Sequence, residues 1–428
     1  MRALWIILAA MLSAAAVWLY AQRIMIPYQT RDAAAHDRPR GNLSDLYPRW
    51  LGARELLLRG RDPYSAEVTQ EIQAGYYGRK LDPSRPGDPI DRQGFAYPVY
   101  VAFWLSPVLN TPFPLVQRGF LFLLVALTAA NALFWVRMLR MPATLIGQIV
   151  VVVLTLGSLP VMQGLKLQQV SLLVAGLITI AVWLLIRDRQ AAAGLLLAAA
   201  SVKPQLLVLP LIWLGIWTSA NLRTRYRWAL SFVFWMALQV AAAEWYLPHW
   251  IPRFWQAARE YRTYTGAVSV AEVLAGPLVG TLLEITAFFL LLRLCWRERD
   301  QAASSHSFAS TAAVVMALTV LLLPTDSVYN QVLLLPAVLI LARNWRSFCL
   351  QGRLSRVVTG VAAWLIAWPW FSSIVLVGLS FFVPQQTVER AWAVPFWTVV
   401  AAPLGVAALM LVYGNLPCFR ESAEAGSS

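Results

Sequence analysis

The chain has 428 residues, of which 59% are apolar and only 13% charged. A water-soluble domain is nearer half apolar and about a quarter charged, so a soluble enzyme is excluded and a helical membrane protein fits. The net charge is +14, but the bases lie in short connections between apolar runs without any RNA- or DNA-binding motif. That excludes a nucleic-acid partner and points to anionic membrane lipid.

The first apolar run, Met1–Ile26, begins with Arg2. It is long for a signal peptide and has no clean cleavage site, so it reads as a retained first span with a cytoplasmic amino terminus. Residues 27–94 form the one long polar stretch, an extracytoplasmic loop whose length exempts its arginines from the positive-inside rule. Within it, Ser44–Tyr64 predicts an interfacial helix, with Ser44 as N-cap and Gly60 as the stop. Leu46, Trp50, Ala53 and Leu57 make its apolar face; Arg49, Arg54, Glu55 and Arg59 take the other faces. Asp82–Asp91 is a turn-rich loop. Phe95–Val108, interrupted by Pro98 and Pro107, either spans or enters and leaves on one side.

Later spans are predicted at Phe120–Val136, Ala143–Leu159, Val170–Ile186, Ala191–Ala200, Pro204–Trp217 and Trp228–Leu247. Glu272–Leu292, Ser310–Leu323, Val332–Leu341, Val357–Phe382 and Ala393–Tyr413 complete the set. The expected fold is all-α: one polytopic integral membrane domain, 1–428, of about 11–13 transmembrane or re-entrant helices. Every second connection is arginine-rich, as at Arg137/Arg140, Arg187/Arg189 and Arg293/Arg297/Arg299. That set is assigned to the cytoplasm, together with the carboxyl terminus. The other set, including a second outer segment at 249–270, joins the first loop outside. The parity holds if Phe95–Val108 does not cross. The three cysteines flank cytoplasmic connections without metal-ligand spacing, so neither a disulfide nor a zinc site is expected.

Polar groups at membrane depth are costly, and their placement hints at function. Ala191–Ala200 is too short to cross alone, which leaves Lys203 of SVKPQ inside the bilayer. It either snorkels or faces a cavity, where a lone cation suits a phosphate. Gln169, in QGLKLQQ, is either loop polarity or part of a site. Asp326, in PTDSVYNQ, caps a helix or lines the site. His249–Tyr264 mixes aromatics with Arg253, Arg259 and Arg262: an aromatic belt, or a surface that stacks on sugar and pairs with phosphate. Asp45 in a first helical turn is favoured by about 0.3–1 kcal/mol from the helix dipole with no function needed. Asp62 reads as turn chemistry.

The ordered motifs Asp45-Leu46-Tyr47, Gly60-Arg61-Asp62-Pro63-Tyr64, Phe95-Ala96-Tyr97-Pro98, Gln169-Val170-Ser171, Lys203-Pro204 and Pro324–Pro336 resemble glycosyltransferase family 87. These are multi-spanning enzymes of the GT-C superfamily, typified by polyprenol-phosphate-mannose-dependent α-mannosyltransferases. The resemblance implies a GT-C-type fold, a plasma-membrane enzyme and an extracytoplasmic active site with Asp45 as general base. It implies a polyprenyl-phosphate sugar donor, most simply a mannose donor, and a lipid-linked or glycan acceptor. Lys203, with Gln169, Tyr47, Arg259, Arg262 and Asp326, would serve the donor phosphate and substrate. No metal or other cofactor is expected, because a single lipid phosphate does not require one. Gln168-Gln169 stands where relatives often carry Gly-Gln, and Thr325–Val328 where Trp or His is frequent. Asn330 replaces a frequent Asp; these departures bear on the sugar and acceptor. The rival classes are a glycolipid flippase without chemistry and a membrane scaffold. The acid-bearing first loop favours the enzyme, and the lack of an inverted repeat counts against transport.

Overall fold

A computed structural model of the chain describes residues 2–265, 268–323 and 327–415. Asp326 lies outside the described residues. The described residues are helical throughout, with no strand among them.

The chain opens on α1 (Arg2–Tyr20), which runs through a π-helical turn (Ala21–Met25) into α2 (Ile26–Ala35). Pro27 has no N–H to give to the ladder, and the wider turn absorbs that loss without breaking the rod. The polar stretch then folds into α3 (Tyr47–Arg59) and α4 (Ala66–Tyr77). Helix α5 (Val101–Leu105) has five residues, too few to cross a bilayer. Then come α6 (Phe113–Met138), α7 (Leu145–Leu156), α8 (Leu159–Leu167) and α9 (Val170–Ile186). Next are α10 (Gln190–Ala200), α11 (Val208–Ser219), α12 (Leu222–Arg225), α13 (Arg227–Tyr246) and α14 (Trp250–Thr265). The last are α15 (Val270–Ala275), α16 (Pro277–Arg297), α17 (His306–Leu322), α18 (Leu335–Arg343), α19 (Trp345–Leu350), α20 (Arg353–Leu379), α21 (Gln385–Arg390) and α22 (Ala401–Tyr413).

Six of these stretches are long and apolar enough to cross a membrane: Ala3–Ala35, Phe113–Met138, Arg227–Tyr246, Pro277–Arg297, Arg353–Leu379 and Gln385–Tyr413. The pair α7 and α8 is bent by 56° at a break, and α9, α10, α11, α17 and the 328–343 segment are shorter apolar helices. The chain is therefore an all-helical, multi-pass membrane protein. Phe122, Phe234, Phe289 and Leu354 remain exposed on its flanks, which a lipid surround explains and water would not.

The main core gathers α6, α9, α10, α11, α17, α18 and α22. A second core, built on Leu46, Trp50, Ile72, Phe95 and Trp250, binds the first loop to the start of α6 and to α13 and α14. Helix α3 ends at Gly60, whose φ of 64° is the left-handed stop expected. Its start differs from expectation: Ser44 is not the N-cap, because the helix begins three residues later at Tyr47. Its polar face is only partly solvated: Arg59 is exposed and Arg54 half-buried. Arg49 and Glu55 are buried, the latter accepting from Arg59 at 2.8 Å and Arg61 at 2.7 Å. Periodicity reports one apolar face; it does not report that paired charges let the opposite face be covered too. The 249–270 segment is mostly the helix α14, tied to the first loop by Arg253 Nη1 and Asp62 Oδ2 at 2.6 Å.

Helices α10 and α13 pack almost backbone to backbone. A Cβ on Gly194 would stand 2.3 Å from the Trp228 carbonyl oxygen, while one on Gly215 would meet nothing within 4 Å. Small residues permit such approach where no hydrophobic drive exists between helices in lipid. Gly194→Leu is expected to cost about 1–3 kcal/mol by overpacking. Thermal unfolding of the detergent-solubilised protein should show a lowered midpoint for Gly194→Leu and little change for Gly215→Leu.

Candidate active site

The segment 42–46 hangs between the end of α4 and the break that separates α8 from α9. Asn42 Nδ2 donates to the Gly75 carbonyl at 2.9 Å and Leu43 N to that of Tyr76 at 3.2 Å. On the other side Asp45 N donates to the Leu167 carbonyl at 2.9 Å, and Ser44 Oγ bonds Gln168 Oε1. Gln168 stands in the left-handed region, φ 55°, which ends α8 and turns its amide toward Ser44 and the Gln117 carbonyl. These links leave Asp45 half-buried with its carboxylate turned inward.

Both carboxylate oxygens are held. Tyr76 Oη donates to Oδ1 at 3.1 Å, and Gln169 Nε2 donates to Oδ2. Arg49, one turn along, donates from Nη1 to the Asp45 carbonyl and lays its guanidinium 3.7 Å over the Tyr97 ring. Burial holds the Asp45 carboxyl above the usual carboxylate range; Arg49, the Tyr76 hydrogen bond and Lys203 pull it partly back down. Asp91 is also raised by burial and pushes against Asp45. The Tyr76 hydroxyl is driven up by burial and by Asp45, so it remains a donor, and Tyr97 is pushed up to about 12, chiefly by burial.

Lys203 comes in from the turn between α10 and α11. Its Nζ donates to Ser171 Oγ at 2.5 Å and Asn330 Oδ1 at 3.2 Å, and it lies 4.8 Å from the centre of the Tyr329 ring. Ser171 Oγ in turn donates to Asn330 Oδ1 at 2.8 Å. Among the described residues, neither Lys203 nor Arg49 forms an ion pair. Two held cations and the two carboxylates of Asp45 and Asp91 share this site. Tyr261, from α14, completes the surround, its charge environment shared with Tyr97, Tyr329, Asp91 and Asp45. No group of three or more His, Cys, Asp or Glu side chains suited to a metal ion occurs among the described residues.

Of the residues singled out from sequence, Asp45, Gln169 and Lys203 come together here. Tyr47 does not: its ring packs on Trp50 and Phe113, and its hydroxyl fills the space over Gly75. Arg259 and Arg262 are exposed, Arg259 lying over the Trp255 ring. Three residues apart, they share a face of α14 that Tyr261 does not occupy. Arg49, Tyr76, Asp91, Tyr97, Tyr261, Tyr329, Ser171 and Asn330 went unassigned, although Tyr97, Ser171, Tyr329 and Asn330 stand within the quoted motifs.

The sequence model of glycosyltransferase family 87 matches residues 95–324, more than half of the chain. The chain belongs to glycosyltransferase family 87. No curated protein and no solved structure matches it. The matched span of this family 87 membrane glycosyltransferase takes in Tyr97, Gln169, Ser171, Lys203 and Tyr261. Asp45 and Arg49 precede that span; Tyr329 and Asn330 follow it.

The Gln168 side chain couples the Asp45 segment to the α8–α9 break. Gln168→Gly keeps the left-handed backbone and removes both side-chain links. Hydrogen exchange should rise at residues 42–46 and stay unchanged in the body of α9.

Proposed function

We propose that this membrane glycosyltransferase moves a hexose, most simply mannose, from a polyprenyl-phosphate donor to a lipid-linked or glycan acceptor on the extracytoplasmic face. The reading rests on one observation above others. A carboxylate raised by burial and a lysine that pairs with no acid among the described residues are near enough to sense each other's charge.

The chemistry asks for little else. The acceptor hydroxyl oxygen attacks the anomeric carbon from the face opposite the phosphate. Its proton passes to Asp45, whose carboxylate is the general base. The bond between the anomeric carbon and the phosphate oxygen breaks, and the lipid phosphate leaves with an added negative charge. Lys203 and Arg49 are the fixed cations that stabilise this charge. Tyr76 and Gln169 orient the carboxylate by a hydrogen bond to each of its oxygens. Ser171 and Asn330 hold Lys203 in place without neutralising it. A chain of apolar helices suits a donor whose prenyl tail stays in lipid.

The test uses membranes supplied with polyprenyl-phosphate-[14C]mannose. Asp45→Asn should lower transfer about a hundredfold or more, the scale of a lost general base. Lys203→Ala should raise the donor requirement about tenfold or more, the scale of a lost charge-assisted hydrogen bond. Transfer at the unaltered rate in Asp45→Asn removes the base from this residue, and a glycolipid flippase, which needs no proton acceptor, becomes the better reading.

The pH profile carries a further expectation. The active form is the carboxylate, so transfer should fall as pH drops through the raised Asp45 value. Tyr76 Oη stabilises the charged form, and its removal raises that value further. Tyr76→Phe should therefore move the acid limb of the pH–rate profile to higher pH, and an unmoved limb would detach Tyr76 from the titrating group.

A further inference from the structure

A pocket of about 290 Å³ opens between the last turns of α16 and α22, two helices that both pack on α17. Leu290, Arg293, Leu294 and Arg297 line it from α16, and Leu411 and Asn415 from α22 and the turn that follows. The four α16 residues recur at i, i+3, i+4 and i+7, which is one face of a helix. None of these residues belongs to the Asp45 site.

The lining changes character along the span. Arg297 is the last residue of α16, and Leu290 lies about 10 Å deeper along the helix. On α22 the order is the same, with Leu411 inside the helix and Asn415 beyond its end. Trp296, between the two arginines, is exposed and carries Arg299 4.1 Å over its ring. An aromatic ring and a cluster of bases at a span end mark the boundary of the hydrocarbon, where lipid phosphates lie.

Arg297 is fixed before any ligand arrives. Its Nε donates to Glu298 Oε1 at 2.8 Å, its Nη1 to Asn415 Oδ1 at 3.0 Å and its Nη2 to the Gly414 carbonyl. Each terminal nitrogen keeps a second N–H. Arg293 is exposed and forms no ion pair among the described residues. No acid lines the pocket, and Glu298 offsets only one of its two arginines, so one positive charge is left over.

A phosphodiester carries one negative charge, and its oxygens match the guanidinium fork. A zwitterionic lipid brings its own cation to the same mouth and gains less. A free anion leaves the leucine floor uncovered. Basic pockets between spans are suited to anionic head groups. We propose that this pocket holds one anionic phospholipid, its phosphate on Arg293 and Arg297 and an acyl chain along Leu290, Leu294 and Leu411. The proposal needs only the membrane placement and stands whether or not Asp45 is the base.

The purified full chain, in detergent, is titrated with phosphatidylglycerol and with phosphatidylcholine of the same acyl chains, and bound lipids are counted by native mass spectrometry. The first phosphatidylglycerol should bind about tenfold more tightly than the first phosphatidylcholine, the scale of one charge-assisted hydrogen bond. Arg293→Ala should abolish that difference. Leu290→Trp, which fills the pocket from an exposed position, should remove the tight site. Arg353→Ala, at an exposed arginine that opens α20 outside the pocket, should leave it intact. Thermal unfolding of each variant without added lipid checks the fold. Equal affinity for the two lipids, a loss in Arg353→Ala as large as in Arg293→Ala, or a tight site that survives Leu290→Trp overturns the proposal. Displacement of the bound lipid by inorganic phosphate would assign the arginines to a free anion and overturns it as well.

Discussion

The architecture turns on the docking of residues 42–46 into the break between α8 and α9. An unsatisfied backbone group at a helix break is expensive in lipid. Here the Leu167 carbonyl at the end of α8 is satisfied by Asp45 N–H, and the Gln169 side chain at the start of α9 is spent on the Asp45 carboxylate. The broken helix and the first loop thus complete each other. Without the loop the break would carry an orphaned acceptor; without the break the acid would have no fixed bearing.

The tyrosines around this junction set its electrostatic character. Tyr76, Tyr97, Tyr261 and Tyr329 bring apolar ring surface and a hydroxyl each. Their bulk keeps water from the carboxylate, and their hydroxyls stay protonated. Arg49 over the Tyr97 ring and Lys203 near that of Tyr329 are cations held by ring faces and neutral oxygens, with no ion pair to an acid among the described residues.

Much of this was legible in the chain. Long apolar runs with polar punctuation give the helices, whereas the sequence left open whether Phe95–Val108 crosses, which the five residues of α5 are too few to do. Lys203 was legible because a lysine in a too-short span is out of place, whereas Asp45 is ordinary at a helix start and was singled out only by the family resemblance. The tyrosines were not, since a Tyr near a span end reads first as an interfacial anchor. Arg49 and Glu55 were missed for a related reason: a heptad pattern cannot reveal that Arg59 and Arg61 pair with Glu55 and permit burial. The helix α14 was read as a loop segment, and its two prominent arginines drew attention from Tyr261 between them.

The brevity of α10 has a consequence for the surrounding bilayer. Its 11 residues rise about 16 Å, roughly half of a hydrocarbon layer about 30 Å thick. The chain turns back at Lys203 and descends again in α11, whose Trp213 and Trp217 rings meet Phe308 at the start of α17. A cation carried at such a reversal must be met by protein groups and not by lipid, and here the Ser171 hydroxyl and the Asn330 amide oxygen meet it.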